Sequence, residues 1–359
     1  MKRCQSSRTA KRCMASVGLL VLALSSQALA QSQYGSDSPS RQLCSLASAG
    51  VGQPGSVTCL DVMTGAVTQS VAVGNTAAAA GGIAGSLVRQ GTHVLVTNQA
   101  QGAVLFDLVA GRLQAPITLN TDGEASFSGA LSDRGVYVLT GTRLLFFPMG
   151  AMTASSGQGL LKADGSAAQV VLGQGRAYVS EKNGSLEAFA IGHGGQLVGS
   201  ATAATGIPAG VIVGITAADD LVVAPIAHLA SNPNQSSVPV VRGLQTVQIV
   251  PTKEMAACWA GSDGDEACIT NPGSMTVSCG HLGRDAFKSY TSAAASLPGE
   301  TVFDIAMMDD MVGILGMNSG APVLLTFTRS NGSGDFLTAA KQFPLGTAAA
   351  TGAMILPAH

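Results

Sequence analysis

The residues best equipped for chemistry in this chain are its cysteines. Seven occur. Cys4 and Cys13 lie in a basic-then-apolar N-terminal stretch, and Cys44, Cys59, Cys258, Cys268 and Cys279 follow it. An odd count beyond a leader of that kind predicts disulfides with one thiol left over, because exported chains meet an oxidising compartment. In an antiparallel hairpin, directly opposed residues share a constant index sum. Around the turn Asn271-Pro-Gly-Ser274 that sum sets Cys268 opposite Cys279. Cys44 and Cys59 occupy the same two strands of an earlier copy of the pattern. Around Asp263 the same counting sets Cys258 against Cys268, so Cys258 competes. The expectation is one bridge Cys44–Cys59, one bridge at Cys268 with Cys279 ahead of Cys258, and one free thiol.

Hydrolytic chemistry is harder to find. The chain has no His-Glu-x-x-His, no Gly-x-Ser-x-Gly, no phosphate-cradling glycine loop after a strand and no Cys-x-x-Cys. Its five histidines, at 93, 193, 228, 281 and 359, are scattered, whereas a metal site needs clustered ligands. His228, Arg242, Glu254 and Asp304 fall where the pattern carries longer insertions. They are the candidates for a catalytic group at one mouth of a ring, against an ordinary role on exposed loops. Asp219-Asp220 and Asp263-Gly-Asp-Glu266 lack the oxygen ladder of a calcium loop and read as hairpin turns. Neither a metal nor a cofactor is expected. Asn183, Asn234 and Asn331 open glycosylation sequons, which matter only in a host that glycosylates.

The elements that must position these residues come from a repeat. A strand-like phrase returns about every 40 to 50 residues, at Gln42, His93, Val136, Arg176, Leu221, Glu266 and Val312, a period that marks stacked supersecondary units. The clearest copy, His93-Val-Leu-Val-Thr-Asn98 then Ala103-Val-Leu-Phe-Asp-Leu108, reads as strand, turn, strand with apolar alternation. Further apolar stretches lie upstream and downstream of each pair. Four strands per copy and seven copies predict an all-β fold, a seven-bladed β-propeller of four-stranded antiparallel blades. Thr351–Leu356 resembles the first strand of a blade lacking its others, and Arg41–Ala47 opens on a second strand. The C-terminal strand is therefore expected to close the ring on the N-terminal blade.

These phrases resemble those of the seven-bladed lactonase-like propellers with YVTN-type repeats, which include 6-phosphogluconolactonase-like and 3-carboxymuconate-cyclase-like proteins. Val94-Leu-Val-Thr-Asn98 with Gly102–Asp107 is similar to that repeat core. So are Ala257-Cys-Trp259 leading to Cys268-Ile-Thr-Asn271, and Asp304-Ile-Ala with a downstream Gly-Asp-Phe-Leu337. The resemblance spans Gln42 to the C-terminus and implies the propeller fold and, in members with activity, His, Arg and acidic groups at a channel mouth. Here the matching stretch Gly206–Ile215 has no His or Arg, so no catalytic residue carries over.

Residues 1–30 carry five basic residues, the apolar core Val17–Leu24 and Ala28-Leu-Ala30, which is the pattern of a signal peptide cleaved near Ala30. Its apolar core is too short to span a bilayer, and no other transmembrane segment is expected in the mature chain. Loss of this leader removes five of 19 basic residues and none of the 21 acidic ones. The remainder is mildly acidic, without a basic run, and disfavours nucleic acid or an anionic membrane as partner. The expected organisation is a signal peptide at 1–30, a short polar lead-in at 31–41 and one propeller at 42–359, secreted or periplasmic. The function expected is that of a rigid binding or scaffold module holding a small molecule, glycan or protein on one face. The alternative is a lactone hydrolase or cyclase. The long insertion Ala227–Val238 is a candidate binding loop.

Overall fold

A computed structural model describes residues 41–78, 83–228, 235–297, 299–330 and 336–357. The expected signal peptide, nearly all of the lead-in, most of the insertion after His228, and the sequons at Asn234 and Asn331 lie outside the described residues. The described residues form seven four-stranded antiparallel sheets. Each sheet runs outward from its first strand in chain order, except the first blade, whose innermost strand comes from the other end of the chain.

Blade 1 runs Ala349–Leu356, Gln42–Ser48, Pro54–Asp61, Val67–Asn75. Blade 2 follows with Leu87–Gln90, His93–Val96, Ala103–Val109 and Arg112–Leu119, and blade 3 with Ser126–Ser132, Gly135–Thr140, Arg143–Pro148 and Ser156–Gly159. Blade 4 comprises Ala167–Gly173, Arg176–Glu181, Leu186–Ile191 and Leu197–Ala203, and blade 5 Thr216–Ala218, Leu221–Val223, Ser237–Arg242 and Gln245–Pro251. Trp259–Asp263, Glu266–Asn271, Thr276–Leu282 and Phe287–Ser296 form blade 6; Glu300–Met308, Met311–Asn318, Ala321–Arg329 and Leu337–Pro344 form blade 7. The first strands neighbour one another around a closed circuit, blade 1 touching both blade 2 and blade 7.

Every repeat phrase falls on the second strand of a blade. Second and third strands are buried on both faces, as in Gly135–Thr140 and Glu266–Asn271, because neighbouring blades cover both sides. The outermost strands instead alternate between exposed and half-buried residues, as Gln245–Pro251 does. Seven apolar clusters lie between the blades, the largest joining blades 6 and 7 through Val277, Ile314, Leu325 and Phe327.

Ring closure uses the strand from the C-terminus. Gln42 pairs with Leu356 and Ser48 with Ala349, with a bulge opposite Ser45. Met354, Ile355 and Leu356 are buried against neighbouring blades. Arg41 ties the seam to the Asp309 and Asp310 carboxylates of blade 7.

Two disulfides join Cys44 to Cys59 and Cys268 to Cys279, each pair directly opposed in register. Cys258 is buried and is the free cysteine among the described residues. Its competition for Cys268 does not arise, because Gly264-Asp265 is a two-residue turn that pairs Asp263 with Glu266. That register puts Gly261, not Cys258, opposite Cys268.

Deleting residues 349–359 should abolish folding or lower the melting midpoint sharply. Each large apolar side chain lost from a buried site is worth about 1.5–3 kcal/mol, and three are lost from a total stability of about 5–15 kcal/mol. Thermal unfolding of the truncated chain checks this, and an unchanged melting curve would contradict the role given to the closing strand.

Candidate functional site

The first strands of all seven blades enclose an axial cavity of about 530 Å³. Their side chains alternate sideways into the clusters between blades: Leu87 packs toward blade 1, for example, and Val88 toward blade 3. The axial wall is therefore largely the free edge of seven strands, which presents backbone donors and acceptors to whatever fills the cavity.

Bulges at matching heights shape the inner surface. In blades 1, 3, 4 and 7 the first strand slips by one residue against the second, at Ala353, Phe127, Ala168 and Asp304 respectively. A bulge re-aims side chains locally, and several of those near the axis reach the next blade. Gln169 Oε1 accepts the Ile215 N–H at 2.6 Å, and Ser128 Oγ accepts the Val170 N–H at 3.2 Å. Gly85, with φ of 64°, sits against both of these groups: a Cβ there would meet Gln169 Nε2 at 2.9 Å and Ser128 Oγ at 3.0 Å. The left-handed conformation and the lack of room both call for glycine.

Asp304 stitches the seam. Its carboxylate accepts the Gly85 N–H of blade 2 at 3.2 Å and the Ile305 N–H at 3.0 Å, and also takes the Ala353 N–H of blade 1. Burial pushes its pKa up to about 6 even though these donors favour the charged form. One layer deeper, Trp259, the sole tryptophan of the chain, extends from blade 6 to donate its Nε1–H to the Ile83 carbonyl on the blade 2 side at 3.2 Å. Its ring meets Phe303 edge-on, and with Ala84, Ala168 and Val213 it forms an apolar layer that closes one end of the channel.

At the opposite mouth lie Arg89, Asp263 and Met308. Asp263 is ion-paired with Arg329 at 2.8 Å, and Arg329 also holds Glu266. Arg89 donates to the Gly91 carbonyl at 3.2 Å and to Met308 Sδ at 3.6 Å. It makes no ion pair among the described residues.

Of the four residues singled out from the sequence, only Asp304 lines this cavity. The His228 N–H donates to Ser236 Oγ at 3.2 Å, beside the segment outside the described residues. Arg242 pairs with Asp285 and donates to the Arg284 carbonyl. Glu254 accepts from Thr276 Oγ1 at 3.0 Å. Among the described residues none of these three bonds to another of them. His93 and His281 face Asp107 and Glu266. Among the described residues no three His, Cys, Asp or Glu gather as metal ligands, and no helix is long and apolar enough to cross a membrane. Arg89, Gln169 and Trp259 were missed by sequence reasoning. Aligning the copies on their phrase starts, with Gln169 ahead of Arg176 and Trp259 ahead of Glu266, would have grouped the axial residues.

The fold and site define a seven-bladed propeller whose axial cavity is closed at one end. No protein-family model and no curated protein matches this chain. Among solved structures it is similar to the computationally designed Ika8 protein, at 13% identity and a TM-score of 0.56, covering 87% of this chain and 86% of that one. It is also similar to a putative 6-phosphogluconolactonase from Bacteroides fragilis NCTC 9343, at 13% identity and a TM-score of 0.58, covering 89% of this chain and 99% of that one. Likeness at this identity carries the fold.

Replacing Asp304 by Ala strands the N–H groups of Gly85, Ile305 and Ala353 and should cost about 1–3 kcal/mol for each donor left unsatisfied. Because the folded pKa is raised, the contribution of Asp304 is fully present below its ordinary value of 3.8 and declines as pH rises through about 6. Denaturant unfolding across that window should show a steeper decline in wild type than in Asp304→Ala.

Proposed function

We propose that this chain is an exported propeller, related to the lactonase-like group, that binds a small polar molecule at the open mouth of its axial cavity and does not turn it over. The single observation that carries this reading is the state of the charged groups there. Among the described residues Arg89 is a guanidinium without an ion pair, while Asp263 is held by Arg329 and Asp304 by backbone amides. Lactone hydrolysis needs a base with a free lone pair to activate water and donors aimed at the developing oxyanion. No histidine lines the cavity among the described residues. The cavity's size lies within the range of small-molecule sites, and its strand edges supply hydrogen-bonding groups for a hydroxylated ligand. Two disulfides accord with the oxidising compartment to which the N-terminal leader points.

The lactone-processing reading keeps one observation in its favour, the likeness in fold to a putative 6-phosphogluconolactonase. A direct test titrates the protein with a phosphorylated sugar lactone and with its hydrolysed acid. Trp259 lies one layer beneath the cavity and is the only indole in the chain, so its fluorescence reports occupancy. Saturable binding of the acid, weakened about ten- to a hundredfold in Arg89→Gln by loss of charge-assisted hydrogen bonds, and no lactone turnover above the uncatalysed rate are expected. Robust turnover that Arg89→Gln abolishes would reverse the assignment to an enzyme.

A further inference from the structure

Blade 4 differs from blade 6 at one buried slot. In blade 6 the second strand ends on Asn271, whose Nδ2 donates to Ser278 Oγ at 2.8 Å on the third strand, and both residues are buried. Ile269 pairs with Ser278 there, just as Val179 pairs with Glu187 in blade 4. The corresponding residues in blade 4 are thus Glu181 and Glu187. Both are fully buried. Two carboxyl groups occupy a place that in blade 6 holds an amide and a hydroxyl.

Most donors around the pair come from one segment, the crossover between Ser156–Gly159 of blade 3 and Ala167–Gly173 of blade 4. The Leu161 N–H donates to both Glu187 oxygens at 3.0 Å, and the Lys162 N–H points to the same carboxyl. Ser166 Oγ donates to Glu181 Oε2 at 3.2 Å, and Asn183 Nδ2 adds a bond to that oxygen at 2.8 Å. Glu181 Oε1 is buried with no donor, while Glu187 lies within hydrogen-bond reach of Glu181. A proton on Glu187, donated to Glu181, would satisfy that oxygen and remove one of two buried charges. The charged groups packed around the slot are Lys162 and Asp164 on the crossover and Lys182 on the following turn. Burial lowers the pKa of Lys182, against the pull of Asp164.

We propose that Glu181 and Glu187 share one proton, and that its loss loosens the crossover between blades 3 and 4, making this segment a pH-responsive latch. Atoms balance simply: the proton leaves to solvent, and two carboxylates remain in one buried slot, where like charges repel strongly. Burial first, and then the Glu181 charge, raise the pKa of Glu187 from its ordinary 4.5 to about 7. The sign follows. The stabilising contribution is complete below the ordinary value and is lost as pH rises through about 7.

The test uses the mature protein and follows tryptic cleavage after Lys162 between about pH 5 and pH 8.5, with rates normalised to an unstructured peptide of the same sequence. Opening of a latch governed by one proton rises by at most about tenfold per pH unit. Wild type should show this rise up to about pH 7 and a plateau above it, where the carboxyl is ionised in both the closed and the opened segment. Glu187→Gln, whose amide donates permanently in place of the proton, should show a flat profile. The pair Glu181→Asn and Glu187→Ser, which copies the blade 6 slot into blade 4, should also be flat and guards against a single variant that fails to fold. Carboxyl-carbon NMR on the wild type gives an independent reading: one glutamate titrating near neutral pH supports the shared proton. Every glutamate titrating in its ordinary range, or wild type and both variants cleaved with the same pH profile, would overturn the latch.

Discussion

The structure depends on one constraint, that a sheet apolar on both faces must have a neighbour on each side. Blades 2 to 7 find neighbours in chain order, and the circle closes only if the first and last units become one sheet. The pairing of Ala349–Leu356 with Gln42–Ser48 does this. Closure by strand exchange makes the stability of every blade contingent on the two chain ends meeting. The polar contacts concentrated at the seam fit that contingency: Arg41 reaches the turn of blade 7, Thr347 Oγ1 donates to the Ser48 carbonyl at 2.7 Å, and Asp304 ties blade 7 to blades 1 and 2.

Closing the ring creates a second problem at its centre. Seven first strands present free edges to the axis, and an unpaired buried edge is costly. The chain resolves this differently along the channel. Toward one end, the bulges turn Asp304, Gln169 and Ser128 onto neighbouring backbone amides, and the Trp259 indole fills the middle. Toward the other end the edges stay open and line a cavity. The candidate site is thus what remains when the axial edges are satisfied at only one end, which explains why its walls are backbone and its charged groups few.

Much of this was legible in the chain because the strongest signal is local. Second and third strands are buried on both sides, so their apolar phrases repeat visibly, and hairpin counting needs only the turn length to set Cys268 against Cys279. The same counting misplaced Cys258 because the turn is Gly264-Asp265, which begins one residue later and is one residue longer than a turn made by Asp263 alone, with Gly264 at φ of 58°. The axial residues were hidden for a different reason. Arg89, Gln169 and Trp259 lie on first strands whose register is broken or whose partners sit in other blades, and the contact from Trp259 to Ile83 crosses 176 positions of sequence. No periodicity of one strand encodes such a contact.

A ring held by its blade interfaces leaves its surface residues free to vary without cost to the fold, which is why a computationally designed protein and a putative 6-phosphogluconolactonase can both resemble this chain at 13% identity. Chemistry must then be read from departures within the repeat. A position that blade 6 fills with neutral groups, and that blade 4 fills with Glu181 and Glu187, breaks the local rule that buried charge is paired with opposite charge. Packing alone does not call for this, since Asn271 and Ser278 fill the same slot in blade 6 without a charge. The carboxyl pair stores a dependence on proton activity at the joint between two blades, in a fold whose integrity rests on every such joint.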